Sequence, residues 1–158
     1  MTQFQKISLV SLRIAMGWLM FYAGIVKILD PEWSAVRYLK NAKTFAAFYG
    51  WLSEPNLLSA VNFLNEWGLA LIGLALLLGI FVRVSSIAGA VLMVLYYFPV
   101  LTFPYIAPHS FIIDDHIIYA LVFVLLAALR AGRSYGLENW CANLPICAKF
   151  PKLRAWLG

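Results

Sequence analysis

Seven polar side chains stand out in an otherwise apolar chain: Lys27, the group Asn62, Asn65 and Glu66, and the triplet Asp114, Asp115 and His116. Ammonium, carboxylate and imidazole groups exchange protons with a ligand or pair with one another, and amides orient a ligand by donating and accepting hydrogen bonds. Asn62, Asn65 and Glu66 head a run that carries no further charge until Arg83. That run is long enough to cross a bilayer, which takes roughly 20 predominantly apolar residues. Glu66 is therefore expected inside the membrane, where an acidic side chain near the centre costs about 2.5–3.5 kcal/mol. Its presence calls for a cation, a proton or a ligand.

The elements that must position these groups follow from composition. The 158 residues are 63% hydrophobic and 12% charged, with a mean hydropathy of +0.83. Soluble domains are about 45–50% apolar and about 25% charged. Charge-poor blocks at about residues 7–29, 57–80, 84–103 and 110–131 predict an all-α integral membrane protein, a four-transmembrane-helix bundle filling residues 1–137. The first block reads as a span rather than a cleaved leader, because Arg13 interrupts it and no A-x-A pattern follows. The net charge of +5 is a matter of loops, with the bilayer and not nucleic acid as partner. With four spans, Lys6, Arg13, Arg83, Arg130, Arg133 and the basic tail fall on one side against Glu138 alone. Both termini are then expected in the cytoplasm.

Local spacing adds detail. Arg13, Gly17, Met20, Gly24 and Lys27 recur at intervals of four and three, which puts them on one helical face where small residues let another helix approach closely. Arg13 and Lys27 could equally snorkel to the two interfaces. Asp30-Pro31-Glu32 reads as a helix start, opening an outer interfacial helix to about Tyr49 between spans one and two, or a lid over the bundle. Asn62, Glu66 and Gly73 share a face of the second span. Ser110 is the predicted cap of the fourth, where Asp115, Tyr119, Val122 and Leu126 share a face that Asp114 and His116 flank. Pro99, Pro104 and Pro108 break the chain between spans three and four. Residues 138–158 suit an amphipathic cytoplasmic tail, in which Cys141 and Cys147 are spaced C-x5-C and read as incidental thiols.

Alternating spans bring Lys27, the Asn62 to Glu66 group and the Asp114 to His116 triplet into the outer half of one bundle. A polar pocket is expected there. Glu66 or Asp115 is its candidate for proton exchange, Lys27, Asn62, Asn65, Asp114 and His116 hold a ligand by hydrogen bonds, and Trp67 and Tyr119 line the wall. The alternative is a polar network that only fixes helix register. No metal is expected, because adjacent residues of a helix do not face one another and no H-x-x-x-H or E-x-x-H pair is present.

Four stretches resemble the DoxX/DoxD family of small four-span membrane proteins. They are R-I-A-M-G-W-L-M-F-Y-A-G-I-V-K, with Arg13, Gly17, Gly24 and Lys27; N-E-W-G-L-A-L-I-G-L-A-L-L-L-G-I-F-V-R, with Glu66, Gly68, Gly73, Gly79 and Arg83; the serine and glycine pattern of span three; and D-D-H near the start of span four. The likeness covers about residues 7–137 and implies a bundle in the cytoplasmic (inner) membrane, linked in some members to quinone reduction, DoxD being a subunit of thiosulfate:quinone oxidoreductase. It carries Glu66, Arg83, Arg13 and Lys27 over as pocket candidates. The expected function is a membrane subunit of a redox system that binds a quinone or similar amphipathic molecule, its electrons coming from a partner oxidoreductase subunit. Competing expectations are a solute or proton permeation protein, which would form a homo-oligomer, and a non-catalytic anchor or assembly partner.

Overall fold

The computed structural model describes residues 1–107 and 109–138; the expected tail with Cys141 and Cys147 lies outside them. Helix α1 (Gln3–Leu29) starts at a capping box. Thr2 Oγ1 accepts the Gln5 amide at 3.2 Å, and the Gln5 side chain accepts the Thr2 amide at 2.7 Å. Two short helices follow, α2 (Val36–Lys40) and α3 (Ala46–Leu52). Helix α4 (Pro55–Leu78) begins with proline at its first position and ends at Gly79, whose φ of 67° reverses the chain. Helix α5 (Val82–Val100) leads into a small hairpin of β1 (Tyr105–Ala107) and β2 (Ser110–Phe111), and helix α6 (Asp115–Ala128) closes the bundle before a 3-10 turn at Ala131–Arg133.

Three of these helices, α1, α4 and α5, are long and apolar enough to cross a membrane. Helix α6 is apolar but has only 14 residues. The helices pack as two close pairs. Between α1 and α4 the backbones themselves touch: a Cβ on Gly24 would stand 2.4 Å from the Ala70 nitrogen, and one on Gly73 only 2.2 Å from that of Phe21. Between α5 and α6 the buried Phe123 ring lies over Gly89, where an added Cβ would meet it at 2.7 Å. Met16, Met20, Leu69, Leu76, Met93 and Leu126 fill the space between the pairs.

The short helices roof one end of this bundle. Ala35, Leu39, Ala42 and Tyr49 form a second apolar cluster against Leu58, Val61 and Phe98. They also supply hydrogen bonds that the last turns of α5 need. Pro99 has no amide, so the Leu95 carbonyl lacks its helical donor. The Tyr49 hydroxyl donates to that carbonyl at 2.8 Å. Just beyond, the Lys43 amide donates to Pro99 O at 2.9 Å and Thr44 Oγ1 to Leu101 O at 2.7 Å.

At the opposite end the Arg13 guanidinium is 2% exposed and donates to the carbonyls of Ala131 at 2.7 Å and Ser134 at 2.9 Å. The Leu137 and Glu138 amides cap α4 by donating to Leu78 O and Gly79 O.

The chain departs from the sequence expectation at three points. The single interfacial helix from Asp30 is instead two short ones, because Lys43 and Thr44 are drawn onto the α5 carbonyls and Phe45 turns through a φ of 54°. Asp30 is the C-cap of α1, and Ala35 precedes α2 without a side-chain cap. The third helix stops at Val100 rather than near residue 103. Ser110 pairs in β2 instead of capping the last helix, a role taken by Asp114, whose Oδ1 accepts the Ile117 amide at 3.2 Å.

Candidate ligand cavity

At the roofed end a cavity of about 290 Å³ opens between the helix pairs. Each long helix and α6 contributes a polar side chain: Lys27 from α1, Asn65 from α4, Tyr96 from α5 and His116 from α6. Trp33, Ser34, Ala35 and Tyr38 form the roof and Val100 part of the wall.

The roof is held in place by residues that are themselves fully occupied. Asn62 Oδ1 accepts the Ala35 amide at 3.0 Å, and its Nδ2 donates to Ser34 Oγ at 3.2 Å. Tyr38 donates its hydroxyl to the Tyr96 carbonyl. Burial pushes the Tyr38 phenol up to about 12, with the charges of Tyr49 and Asp114 adding to the effect, so it serves as a neutral donor.

Two groups in the cavity are not satisfied by the protein. The Asn65 side chain lies within electrostatic reach of Tyr96 Oη but not in hydrogen-bonding geometry with it, and neither Asn65 Oδ1 nor Tyr96 Oη, both buried, has a hydrogen-bond partner of good geometry among the described residues. Buried polar atoms are nearly always paired, and each one left bare costs about 1–3 kcal/mol. A ligand or water with polar groups of its own would remove that cost.

Charge is arranged around the same space. Lys27 donates to its own helix at Ala23 O, 3.2 Å away, and lies 5.4 Å above the centre of the Trp33 ring. Among the described residues it has no direct ion pair; Glu66 acts on it through space. His116 Nδ1 is 2.6 Å from Asp114 Oδ2, and its ring meets Tyr96 edge to face at 6.1 Å. Both Asp114 oxygens are therefore engaged, one by the helix start and one by the imidazole.

A model of the DoxX family matches residues 8–102. The chain belongs to the DoxX family. No curated protein and no solved structure matches it.

In this DoxX protein, of the residues singled out in the sequence, Lys27, Asn65 and His116 line the cavity directly, with Asp114 behind His116. Asn62 braces the roof. Glu66 borders a neighbouring depression with Asn62 and Phe63, across Trp33 from the cavity. Asp115 is exposed on the first turn of α6, and Trp67, 45% exposed, points out of the bundle beside Phe63. Tyr119 packs on the central core. Arg13 lies at the far end, where α5 also begins with Arg83 in its first turn, and Gly17, Gly24 and Gly73 make the α1 to α4 contact. No group of three or more His, Cys, Asp or Glu side chains positioned to hold a metal occurs among the described residues. The residues sequence reasoning missed are Tyr96 and the roof's Ser34, Tyr38 and Trp33. Of these, the aromatic pair at residues 96 and 97 inside an apolar span was the available signal.

Proposed function

We propose that this DoxX protein is the membrane subunit of a redox system and binds a quinone, or an amphipathic molecule of that kind, in the cavity between Lys27, Asn65, Tyr96 and His116. The observation that carries the reading is the buried, unpartnered pair Asn65 Oδ1 and Tyr96 Oη in a space with aromatic walls. A ring bearing oxygens can accept from Lys27 and from the Tyr96 hydroxyl, and its reduced, hydroxyl-bearing form can also donate to Asn65 Oδ1, while stacking on Trp33 or Tyr38. Proton exchange falls to the His116 and Asp114 couple instead of Glu66 or Asp115, which lie outside the cavity. Electrons come from a partner oxidoreductase subunit.

In this reading α6 is the fourth crossing. Its 14 residues span about 21 Å at 1.5 Å each, and the exposed apolar residues Ile112, Ile113 and Leu129 extend it at both ends. Arg83 before the body of α5 and Arg130 and Arg133 after α6 support a cytoplasmic side that holds both termini, in the inner membrane. The domain is residues 1–137, with the remaining residues a cytoplasmic tail.

The test is a titration of a short-chain ubiquinone analogue followed by tryptophan fluorescence, since Trp33 lines the cavity. Saturable quenching is expected in the native protein and a clear loss of affinity in Asn65→Leu and Tyr96→Phe, with Glu66→Gln affected least. Quenching that does not saturate, or that is the same in all four proteins, would remove this function.

A further inference from the structure

His116 is held so that one nitrogen alone can meet a ligand. Its Nδ1 is 2.6 Å from Asp114 Oδ2, and Asp114 is itself fixed by accepting the Ile117 amide. With Nδ1–H donated to a carboxylate, the neutral ring carries its free lone pair on Nε2, the arrangement of a proton acceptor.

On the other helix pair stands Lys27, a cation with a carbonyl and an aromatic face for company and no direct carboxylate among the described residues. Asn65 and Tyr96 lie between: the Tyr96 hydroxyl can donate to an oxyanion, whereas Asn65 Oδ1 only accepts and suits a second ligand O–H. The remaining ionisable group around the cavity, Tyr38 on α2, is a neutral donor to a backbone carbonyl, and Glu66 on α4 is outside it. Proton acceptor, hydrogen-bond partners and cation thus surround one small space. The cavity combines what is needed to take a proton from a hydroxyl and hold the oxyanion left behind.

We propose that the cavity selects weakly acidic aromatic alcohols, phenols and hydroquinones, and binds the hydroxyl in its ionised form. The ligand O–H bond breaks and its proton passes to His116 Nε2, with no change in oxidation state. The oxyanion keeps the electron pair and is met by the Lys27 ammonium and the Tyr96 hydroxyl. Asp114 is the positioning residue, acting through His116. This assignment rests on the cavity being the ligand site, and it adds the protonation state and the class of molecule.

The full-length protein in lipid nanodiscs, titrated with para-nitrophenol, tests it, because the absorbance of that dye distinguishes phenol from phenolate. The bound dye is expected to ionise at a pH lower by about one unit or more than the free dye, the size of effect a nearby opposite charge produces. In Asp114→Asn the shift should shrink while the dye still binds; asparagine caps a helix about as well as aspartate, so α6 keeps its start. His116→Gln should shrink it likewise. Dye that binds the native protein but ionises as it does in free solution overturns the proposal and leaves quinone binding standing. So does a shift that survives in both variants. A native protein that binds neither the dye nor the ubiquinone analogue overturns both.

Discussion

The Tyr49 hydroxyl donates to the Leu95 carbonyl, 2.8 Å away, which is the acceptor that Pro99 leaves without an amide. A side chain from α3 therefore repairs a gap in the hydrogen-bond ladder of α5 made by proline, and in doing so ties the roof to the bundle. Tyr49→Phe keeps the ring and removes the donor. It should cost about 1–3 kcal/mol, the penalty for leaving a buried carbonyl bare, read as a lower Tm in detergent. Adding Pro99→Ala supplies the missing amide, so the double variant should lose less than the two single losses combined. Independent, additive losses would mean that the two residues do not share this carbonyl.

Glycine substitutions on α4 separate helix contact from helix propensity. At Gly73 a methyl would fall 2.2 Å from the Phe21 nitrogen, an impossible distance, whereas at Gly68 it meets nothing within 4 Å. Gly73→Ala must push α1 away and should cost about 1–3 kcal/mol or more. Gly68→Ala should be neutral or stabilise by up to about 1 kcal/mol through propensity alone. Thermal melts of the two variants check this directly, and equal effects would contradict the close α1 to α4 contact.

Features set by short-range periodicity were readable in the sequence. Arg13, Gly17 and Gly24 could be placed on one face of α1 because intervals of three and four are a property of any helix. Of the four apolar runs counted as spans, three form helices long and apolar enough to cross a membrane, while the fourth gives a helix of only 14 residues. Features that depend on which residue far along the chain supplies a missing bond were not. Asp30-Pro31-Glu32 looks like a helix start, but Asn62, 27 residues beyond Ala35, accepts the Ala35 amide and donates to Ser34 Oγ, and so holds the segment as a loop. Choosing between Tyr96 and Tyr97 requires the rotation of α5 against α6: Tyr96 reaches the cavity, while Tyr97 donates to Ile112 O at 2.6 Å. The convergence of Lys27, Asn65 and His116 was accessible from topology alone, since alternate helices meet at alternate ends. That Glu66 and Asp115 lie outside the cavity was not, because a helical wheel gives a face without saying what covers it.

Alkaline pH should loosen the roof through Tyr38. Its phenol titrates at about 12 instead of 10, chiefly because of burial. A raised value for an acid means that the folded protein favours the neutral form. The corresponding stability is complete below pH 10 and is lost as pH climbs from there through about 12. Because the ring is 38% exposed, solvent screening reduces the size of the effect. Tm measured across this range should fall more steeply in the native protein than in Tyr38→Phe. Parallel curves would mean that Tyr38 ionises without consequence for the fold.

Arg13 closes the other end of the bundle, and its replacement should reveal what the cation is for. Its guanidinium is 2% exposed and holds the carbonyls of Ala131 and Ser134, in the turn that follows α6. One side chain of α1 thereby fastens the turn after α6, since α1 and α6 have little direct contact. Arg13→Met keeps the aliphatic length and removes that donor from both carbonyls; Ala131 O still accepts the Ser134 amide at 3.3 Å, so the penalty of about 1–3 kcal/mol for a carbonyl left bare falls mainly on Ser134 O. Arg13→Lys restores a charge and one donor nitrogen but not the second, Nη2, which donates to Tyr135 O at 3.5 Å, so it should recover only part. The readouts are Tm and amide hydrogen exchange at Ser134 and Leu137, which should quicken in Arg13→Met while the Ala35 amide at the roof stays as protected as before. If exchange rises equally at both ends, Arg13 acts on the whole fold and not on this closure.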